Sequence, residues 1–76
     1  MKTLVQMIGK ALVDNPEAVE VAALDGRSTT VVELRVAKDD IGKIIGRRGR
    51  TATAIRTIVE AVSCKEKKRT VLDIIE

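Results

Sequence analysis

The sequence predicts an α+β domain in which helices cover one face of a three-stranded mixed sheet. The 76 residues are enough for one hydrophobic core and too few for two. Apolar residues make up 45% of the chain and charged residues 33%, which is the balance of a folded protein. The apolar residues follow helical or strand spacing in the order helix, strand, strand, helix, helix, strand. We therefore expect a single domain over residues 1–76.

The first helix is predicted over residues 2–14. Asn15 and Pro16 end it, because a proline disfavours the helical conformation in the residue before it and has no N–H to donate. The apolar side chains of this segment share one helical face: Leu4, Ile8, Ala11 and Leu12.

Two strands are predicted next, at residues 19–24 and 29–38. The linker between them contains Gly26 and is rich in turn-forming residues, which predicts a hairpin. In the second strand one face is mixed and the other is entirely apolar, with Val32, Leu34 and Val36. We expect the helices to cover this apolar face.

A short helix is predicted at residues 41–45 and a longer one over residues 50–62. We expect Asp39 or Asp40 to cap the first turn of the short helix by accepting its free amides. Metal binding by this pair is the alternative, but two adjacent carboxylates without a third ligand seldom hold a cation. The longer helix has one apolar face, formed by Ala52, Ile55, Val59 and Val62.

A basic connection at residues 65–69 leads to a β-branched strand at residues 70–75. Exposed apolar surface often marks an interface. A module that dimerises or docks on a partner, with incidental nucleic-acid binding, is therefore one of two functional hypotheses. It depends on apolar side chains on both faces of this strand, Val71 and Ile75 on one and Leu72 and Ile74 on the other.

The composition excludes most enzymes and one way of binding RNA. The chain contains no Phe, Tyr, Trp or His, and its one cysteine is Cys64. Without aromatic rings it has no platform on which bases can stack. Without His, an activated Cys or a convergent carboxylate pair it lacks groups for proton transfer at neutral pH. We expect no enzyme, no catalytic residue, no metal, no cofactor and no small-molecule substrate.

The expected location is the cytoplasm. A lone cysteine cannot form an internal disulfide, which favours a reducing compartment. The apolar run at the N-terminus ends too early for a signal peptide, and no run approaches the length of a membrane span.

The positive charge is concentrated in the middle of the chain. The net charge is +3, yet residues 41–56 carry five basic side chains and no acid. Gly46 and Gly49 lack a Cβ, so a ligand can approach the backbone at both ends of the loop between them. The free amides of the next helix point at this loop, and phosphate is the expected ligand. The glycine spacing fits neither the G-x-x-x-x-G-K-[ST] nucleotide loop nor the G-x-G-x-x-G dinucleotide motif.

The segment from Ile41 to Arg50, followed by Ala52 and Ile55, resembles the KH domain, and the element order resembles its type II arrangement. In that family a G-x-x-G loop clamps the backbone of about four nucleotides of single-stranded RNA. The chain has Ala52 where many KH domains carry a large aliphatic residue, so a shallower groove floor is expected. The resemblance implies RNA-binding roles for Ile41, Gly42, Lys43, Ile45, Gly46, Arg47, Arg48, Gly49 and Arg50. It implies a second lip of the groove at Lys65, Lys67, Lys68 and Arg69.

At this length the chain is similar to the stand-alone bacterial KH proteins. That resemblance implies an RNA chaperone that pairs with a larger KH-domain protein. Because one four-nucleotide site is usually weak, we expect a homodimer, such a partner, or both, to raise the affinity through effective concentration. It also implies post-transcriptional regulation that affects cell envelope homeostasis and cell length.

Overall fold

The computed structural model describes residues 1–75. In this range the elements follow the predicted order, helix, strand, strand, helix, helix, strand. Short 3-10 turns at Pro16–Ala18, Lys38–Asp40 and Arg47–Gly49 connect them. The helices are α1 (Lys2–Leu12), α2 (Ile41–Ile45) and α3 (Arg50–Glu66), and the strands are β1 (Glu20–Asp25), β2 (Thr29–Arg35) and β3 (Arg69–Ile75).

The three strands form one mixed sheet in the order β1-β2-β3. The hairpin strands β1 and β2 run antiparallel, with Val21 opposite Leu34. β2 and β3 run parallel, with Val32 opposite Leu72. Because a parallel pair needs a long crossover connection, α2 and α3 together carry the chain from the end of β2 to the start of β3. The predicted three-stranded mixed sheet is confirmed.

The core lies between one face of the sheet and the helices. The predicted apolar face of the second strand is buried as expected, with Val32 and Leu34 of β2 fully buried and Val36, directly after β2, nearly so. From the helices, Val5, Ile44 and Val59 are also fully buried against it. The other face of the sheet is open, and across it Leu24, Val31 and Val71 form one row. Helices therefore cover a single face.

Several element ends differ from the prediction. The first helix ends at Leu12 instead of residue 14. β2 ends at Arg35 because the chain winds into the 3-10 turn Lys38–Asp40. α3 continues to Glu66, four residues beyond the predicted end, so only Lys67 and Lys68 separate it from β3.

The end of α3 is a Schellman motif built on a lysine. Lys67 has left-handed backbone angles, φ 56° and ψ 32°. Its N–H donates to the carbonyl of Cys64, and the N–H of Lys68 donates to the carbonyl of Ser63, both at 3.3 Å. This motif usually has glycine at the left-handed position. Because lysine occupies this position, the sequence does not indicate where α3 ends.

None of the helices within residues 1–75 is both long and apolar enough to cross a membrane.

Candidate nucleic-acid interface

The loop between α2 and α3 consists of Gly46, Arg47, Arg48 and Gly49, here called the GRRG loop. Gly46 has φ 75° and ψ 174°, a region that only glycine adopts readily. Arg48 and Gly49 are both left-handed, with φ of 57° and 73°. The loop is closed by hydrogen bonds from the Gly46 N–H to the Gly42 carbonyl at 2.8 Å and from the Gly49 N–H to the Gly46 carbonyl at 3.1 Å. The GRRG loop is therefore a hydrogen-bonded turn.

The two glycines of the loop have different roles. A Cβ on Gly46 would lie 2.6 Å from the Cβ of Thr51 and 2.9 Å from its backbone nitrogen, so the packing of α3 requires glycine there. A Cβ on Gly49 would meet nothing within 4 Å. Only Gly49 therefore has open space beside its Cα for a ligand. Gly42, on α2, is open in the same way.

The arginines around this loop are exposed and free of carboxylate partners. Arg47, Arg48 and Arg50 are exposed, and none of them forms an ion pair with another residue of the described chain. Among residues 1–75, no side chain caps the N-terminus of α3, although the Arg50 N–H, its first amide, donates to the Arg47 carbonyl. The positive end of the helix dipole is therefore at the loop, next to three exposed arginines without carboxylate partners.

Lys43 is placed differently from the arginines. Its ammonium group lies 3.0 Å from the Asp14 carboxylate and 3.5 Å from that of Asp40. The hydrogen bond and charge of Asp14, followed by the charge of Asp40, raise the pKa of Lys43 above its ordinary value. Lys43 therefore connects α2 to the end of α1. The contact of Lys43 with RNA stays a prediction. Two carboxylates already neutralise the charge of its ammonium group.

The predicted cap of α2 is wrong, because neither aspartate side chain bonds an amide of that helix. The Asp40 carboxylate, only 2% exposed, instead accepts hydrogen bonds from the N–H groups of Asp14 at 3.3 Å and Asn15 at 3.1 Å. Burial by itself raises the pKa of Asp40, but these two amides and the Lys43 ammonium outweigh it and leave the pKa below its ordinary value. Within residues 1–75, no three His, Cys, Asp or Glu side chains are grouped to hold a metal ion.

The isoleucines of α2 separate into core and surface residues. Ile44 is fully buried, and Ile41 is half-buried against the core. Ile45 is half-buried without packing on that core, and it comes directly before the GRRG loop. Ile45 is therefore the isoleucine best placed to contact a ligand at the loop.

The predicted second lip is only partly free. Lys65 is exposed on the last turn of α3. Lys68 lies 3.1 Å from the Asp25 carboxylate, which also accepts the Thr30 hydroxyl at 2.7 Å. The Thr30 hydrogen bond and then the Lys68 ammonium lower the pKa of Asp25. Lys67 and Arg69 have no such partner within residues 1–75 and remain available.

A cavity of about 490 Å³ lies between α3 and β3, here called the α3–β3 cavity. Two charged residues that line it are Arg56, which the sequence places only among the five basic side chains of residues 41–56, and Glu60, which sequence reasoning did not single out. The available signal was their helical spacing of four residues, which puts both on one flank of α3. The lining consists of Arg56, Val59, Glu60, Ser63, Cys64, Lys67, Lys68, Arg69, Thr70, Val71 and Leu72.

Comparison with known proteins identifies the family. Residues 2–74 match the family described as "KhpA/KhpB, KH domain". The chain belongs to this KH-domain family. It has a type II KH fold with the expected element order, and the G-x-x-G loop lies between α2 and α3.

Curated relatives match the chain over nearly its whole length. RNA-binding protein KhpA of Caldanaerobacter subterraneus subsp. tengcongensis is 55% identical, with 99% of this chain and 100% of that protein covered. RNA-binding protein KhpA of Halalkalibacterium halodurans is 50% identical with both chains covered completely. The protein of that name from Aquifex aeolicus is 46% identical, over 100% of this chain and 96% of its own. No solved structure matches the chain significantly.

These relatives are named as RNA-binding proteins, and KhpA/KhpB is not an enzyme family.

Proposed function

We propose that the protein binds short single-stranded RNA, with the GRRG loop holding the backbone of about four nucleotides. The observation that carries this proposal is that Arg47, Arg48 and Arg50, all exposed and without carboxylate partners in residues 1–75, lie at the N-terminus of α3, which no side chain of this range caps. Phosphate oxygens are good acceptors for both guanidinium groups and free helix amides. The names of the relatives support the same ligand.

Base contacts in this proposal are aliphatic. The chain has no aromatic side chain, so bases lie against apolar groups such as Ile45 instead of stacking on rings. The open space beside Gly42 and Gly49 lets the sugar-phosphate backbone come close to the protein backbone. Such contacts distinguish bases weakly, so binding at the loop itself is tolerant of sequence.

The test is the binding of a labelled single-stranded RNA to wild type and to the double variant Arg47→Asp/Arg48→Asp. We expect the variant to lose at least about tenfold in affinity, because two phosphate contacts become repulsive. The matched control is Lys2→Asp/Lys10→Asp, which makes the same charge change on exposed residues of α1. Circular dichroism establishes that all three proteins fold. Equal losses in both variants would mean that net charge, and not the loop, controls binding.

Salt dependence measures how many phosphates are held. About three or four contacts predict a slope of log affinity against log salt of roughly −2 to −3 for a single strand. The loop variant should have a slope shallower by about 1.4, since about 0.7 is lost with each contact. A wild-type slope near zero would overturn the proposal.

The wider role proposed is that of an RNA chaperone in post-transcriptional regulation, which affects cell envelope homeostasis and cell length. The support is membership of the KhpA/KhpB family, whose name pairs two KH proteins. A larger KH-domain protein is accordingly the proposed partner. Because one four-nucleotide site binds weakly, joining two such domains raises the overall affinity through effective concentration.

Self-association is the second candidate function, and the open face of the sheet favours it. Leu24 is 59% exposed and Val71 37% exposed, with Val31 between them in the same row. Exposed apolar rows of this kind are common at interfaces. Analytical ultracentrifugation of wild type and Leu24→Lys tests it. A dimer that the substitution dissociates supports this role, and a monomer at micromolar concentration excludes it.

A further inference from the structure

One exposed stripe of α3 leads from the GRRG loop into the α3–β3 cavity. Its members are spaced by three or four residues and lie on the same flank of the helix, and all are exposed: Thr53, Arg56, Glu60, Cys64 and Lys67. With a rise of about 1.5 Å per residue, Arg56 and Glu60 lie roughly 10 and 16 Å along the helix from Gly49. A few nucleotides of an extended strand cover that distance. RNA held at the loop can therefore reach the cavity.

The cavity has the size and lining of a site for a small planar group. Its volume of about 490 Å³ is within the usual range for ligand pockets. Val71, which is 37% exposed, supplies apolar surface above the buried Val59 and Leu72, while Arg56 and Arg69 supply positive charge at exposed positions. A base on the apolar surface and a phosphate beside the arginines match this arrangement.

Glu60 is the exception in this lining, since it is the one carboxylate among the described residues there. It is exposed and forms no ion pair with a residue in the range 1–75, although Arg56 precedes it by one helical turn. A carboxylate beside an RNA strand repels phosphate, unless it accepts hydrogen bonds from a base. Ionised carboxylates only accept, so the base must donate.

The nucleobases differ in what they can donate to a carboxylate. Adenine and cytosine each offer one amino group on the pairing edge, next to a ring nitrogen that accepts. Uracil offers one ring N–H between two carbonyl oxygens. Guanine offers a ring N–H and an amino group side by side, which matches both oxygens of a carboxylate in a bidentate pair.

We propose that the α3–β3 cavity is a guanine-selective subsite in which Glu60 accepts hydrogen bonds from the ring N–H and the amino group. This inference rests on the proposed RNA binding and adds a sequence preference to it. The GRRG loop supplies affinity for any strand, and Glu60 selects the base that lies a few nucleotides away. Arg56 and Arg69 hold the phosphates on either side of that base.

The first experiment compares hexanucleotide RNAs that are uridine except for one position. Guanosine, adenosine, cytidine or inosine is placed at that position, and the position is moved along the strand. We expect guanosine at one position to bind at least about tenfold more tightly than adenosine or cytidine there. Inosine lacks the amino group and should fall in between. Equal binding of all four bases at every position would overturn the proposal.

The second experiment uses Glu60→Gln. The amide nitrogen of glutamine is a hydrogen-bond donor, so it cannot accept from either guanine donor. This variant should lose the preference for guanosine, while its affinity for all-uridine RNA stays the same or rises. Glu66→Gln is the matched control, because Glu66 is an exposed residue of the same helix that does not line the cavity. It should keep the preference. A preference that survives Glu60→Gln would assign the selection to another residue and overturn the role of Glu60.

The two levels of the hypothesis fail in different ways. If RNA binding depends on Arg47 and Arg48 but no base is preferred, the subsite is wrong and the proposed function stands. If no RNA binds, or if the loop variant binds as well as wild type, the proposed function fails and the subsite falls with it.

Discussion

The side-chain carboxylate of Asp40 accepts a hydrogen bond from the backbone N–H of Asn15 at 3.1 Å, across 25 positions of sequence. A second bond from Asp14 and the ion pair of Lys43 with both aspartates complete the same junction. The junction joins the end of α1 to the start of α2, the helix that leads into the GRRG loop. The orientation of the loop therefore depends on a contact far from it in sequence.

Acid should weaken the fold through Asp40. Its pKa is lower in the folded protein than in the unfolded chain, so its contribution to stability is complete above the unfolded value, near pH 4, and is lost as the pH falls through the folded value. Asp40→Asn should lower the urea midpoint at pH 7 and flatten the decline of stability below about pH 4. Asp39→Asn is the control, since Asp39 is exposed. Urea titrations across this pH range measure both variants. If the two behaved alike, Asp40 would not be the cause of the loss of stability in acid.

Alanine at the two loop glycines should have unequal costs. Gly46→Ala should lower the free energy of unfolding by about 2–3 kcal/mol or more, because the backbone is in a region reserved for glycine and the new Cβ collides with Thr51. Gly49→Ala should cost only about 1–2 kcal/mol, since its left-handed backbone has open space around it. Chemical denaturation measures both. Similar losses would mean that the Thr51 contact is easily relieved.

Glycine at position 67 should stabilise the protein. Lys67→Gly removes the strain of a left-handed lysine from the Schellman motif, and the free energy of unfolding should rise by about 1 kcal/mol. Lys65→Gly, two residues earlier in the helix, should lower it by about 1 kcal/mol. If the proposed subsite is correct, Lys67→Gly also weakens RNA binding at low salt. A stabilised variant with unchanged binding would limit Lys67 to a structural role.

Gly42→Ala should separate stability from binding. Gly42 lies in α2, and a Cβ added there would have no neighbour within 4 Å, so alanine should add about 0.5–1 kcal/mol through its higher helix propensity. If the RNA backbone lies against α2, the added methyl group lowers affinity for RNA at the same time. Thermal denaturation and RNA titration of one sample give both quantities. Higher stability with unchanged affinity would place the RNA away from Gly42.

The sequence predicted the parts of the fold that depend on local pattern. The alternation of Val32, Leu34 and Val36 and the helical spacing of Ala52, Ile55 and Val59 were enough to give the order of elements and the buried faces, because these periods follow directly from backbone geometry. The G-x-x-G spacing likewise located the loop.

Two features could not be predicted because their causes are not local. Asp40 looks like a helix cap in sequence, but its partners are backbone amides at the end of another helix, which carry no sequence signal. The end of α3 was placed too early because a lysine occupies the position where glycine usually marks a helix end. The α3–β3 cavity needs the packing of α3 on β3, which no single segment encodes.

The parallel pairing of β2 with β3 has a consequence for how the domain is made. Thr29 pairs with Arg69 and Arg35 with Ile75, so each residue of β2 is synthesised 40 residues before its partner in β3. Until then β2 has only β1 beside it, and the apolar side chains of Val32 and Leu34 lack Leu72 as a neighbour. A two-stranded hairpin is marginally stable at best. The GRRG loop is therefore translated before the sheet beneath α3 is complete. The nascent chain can complete its fold only after β3 has been synthesised.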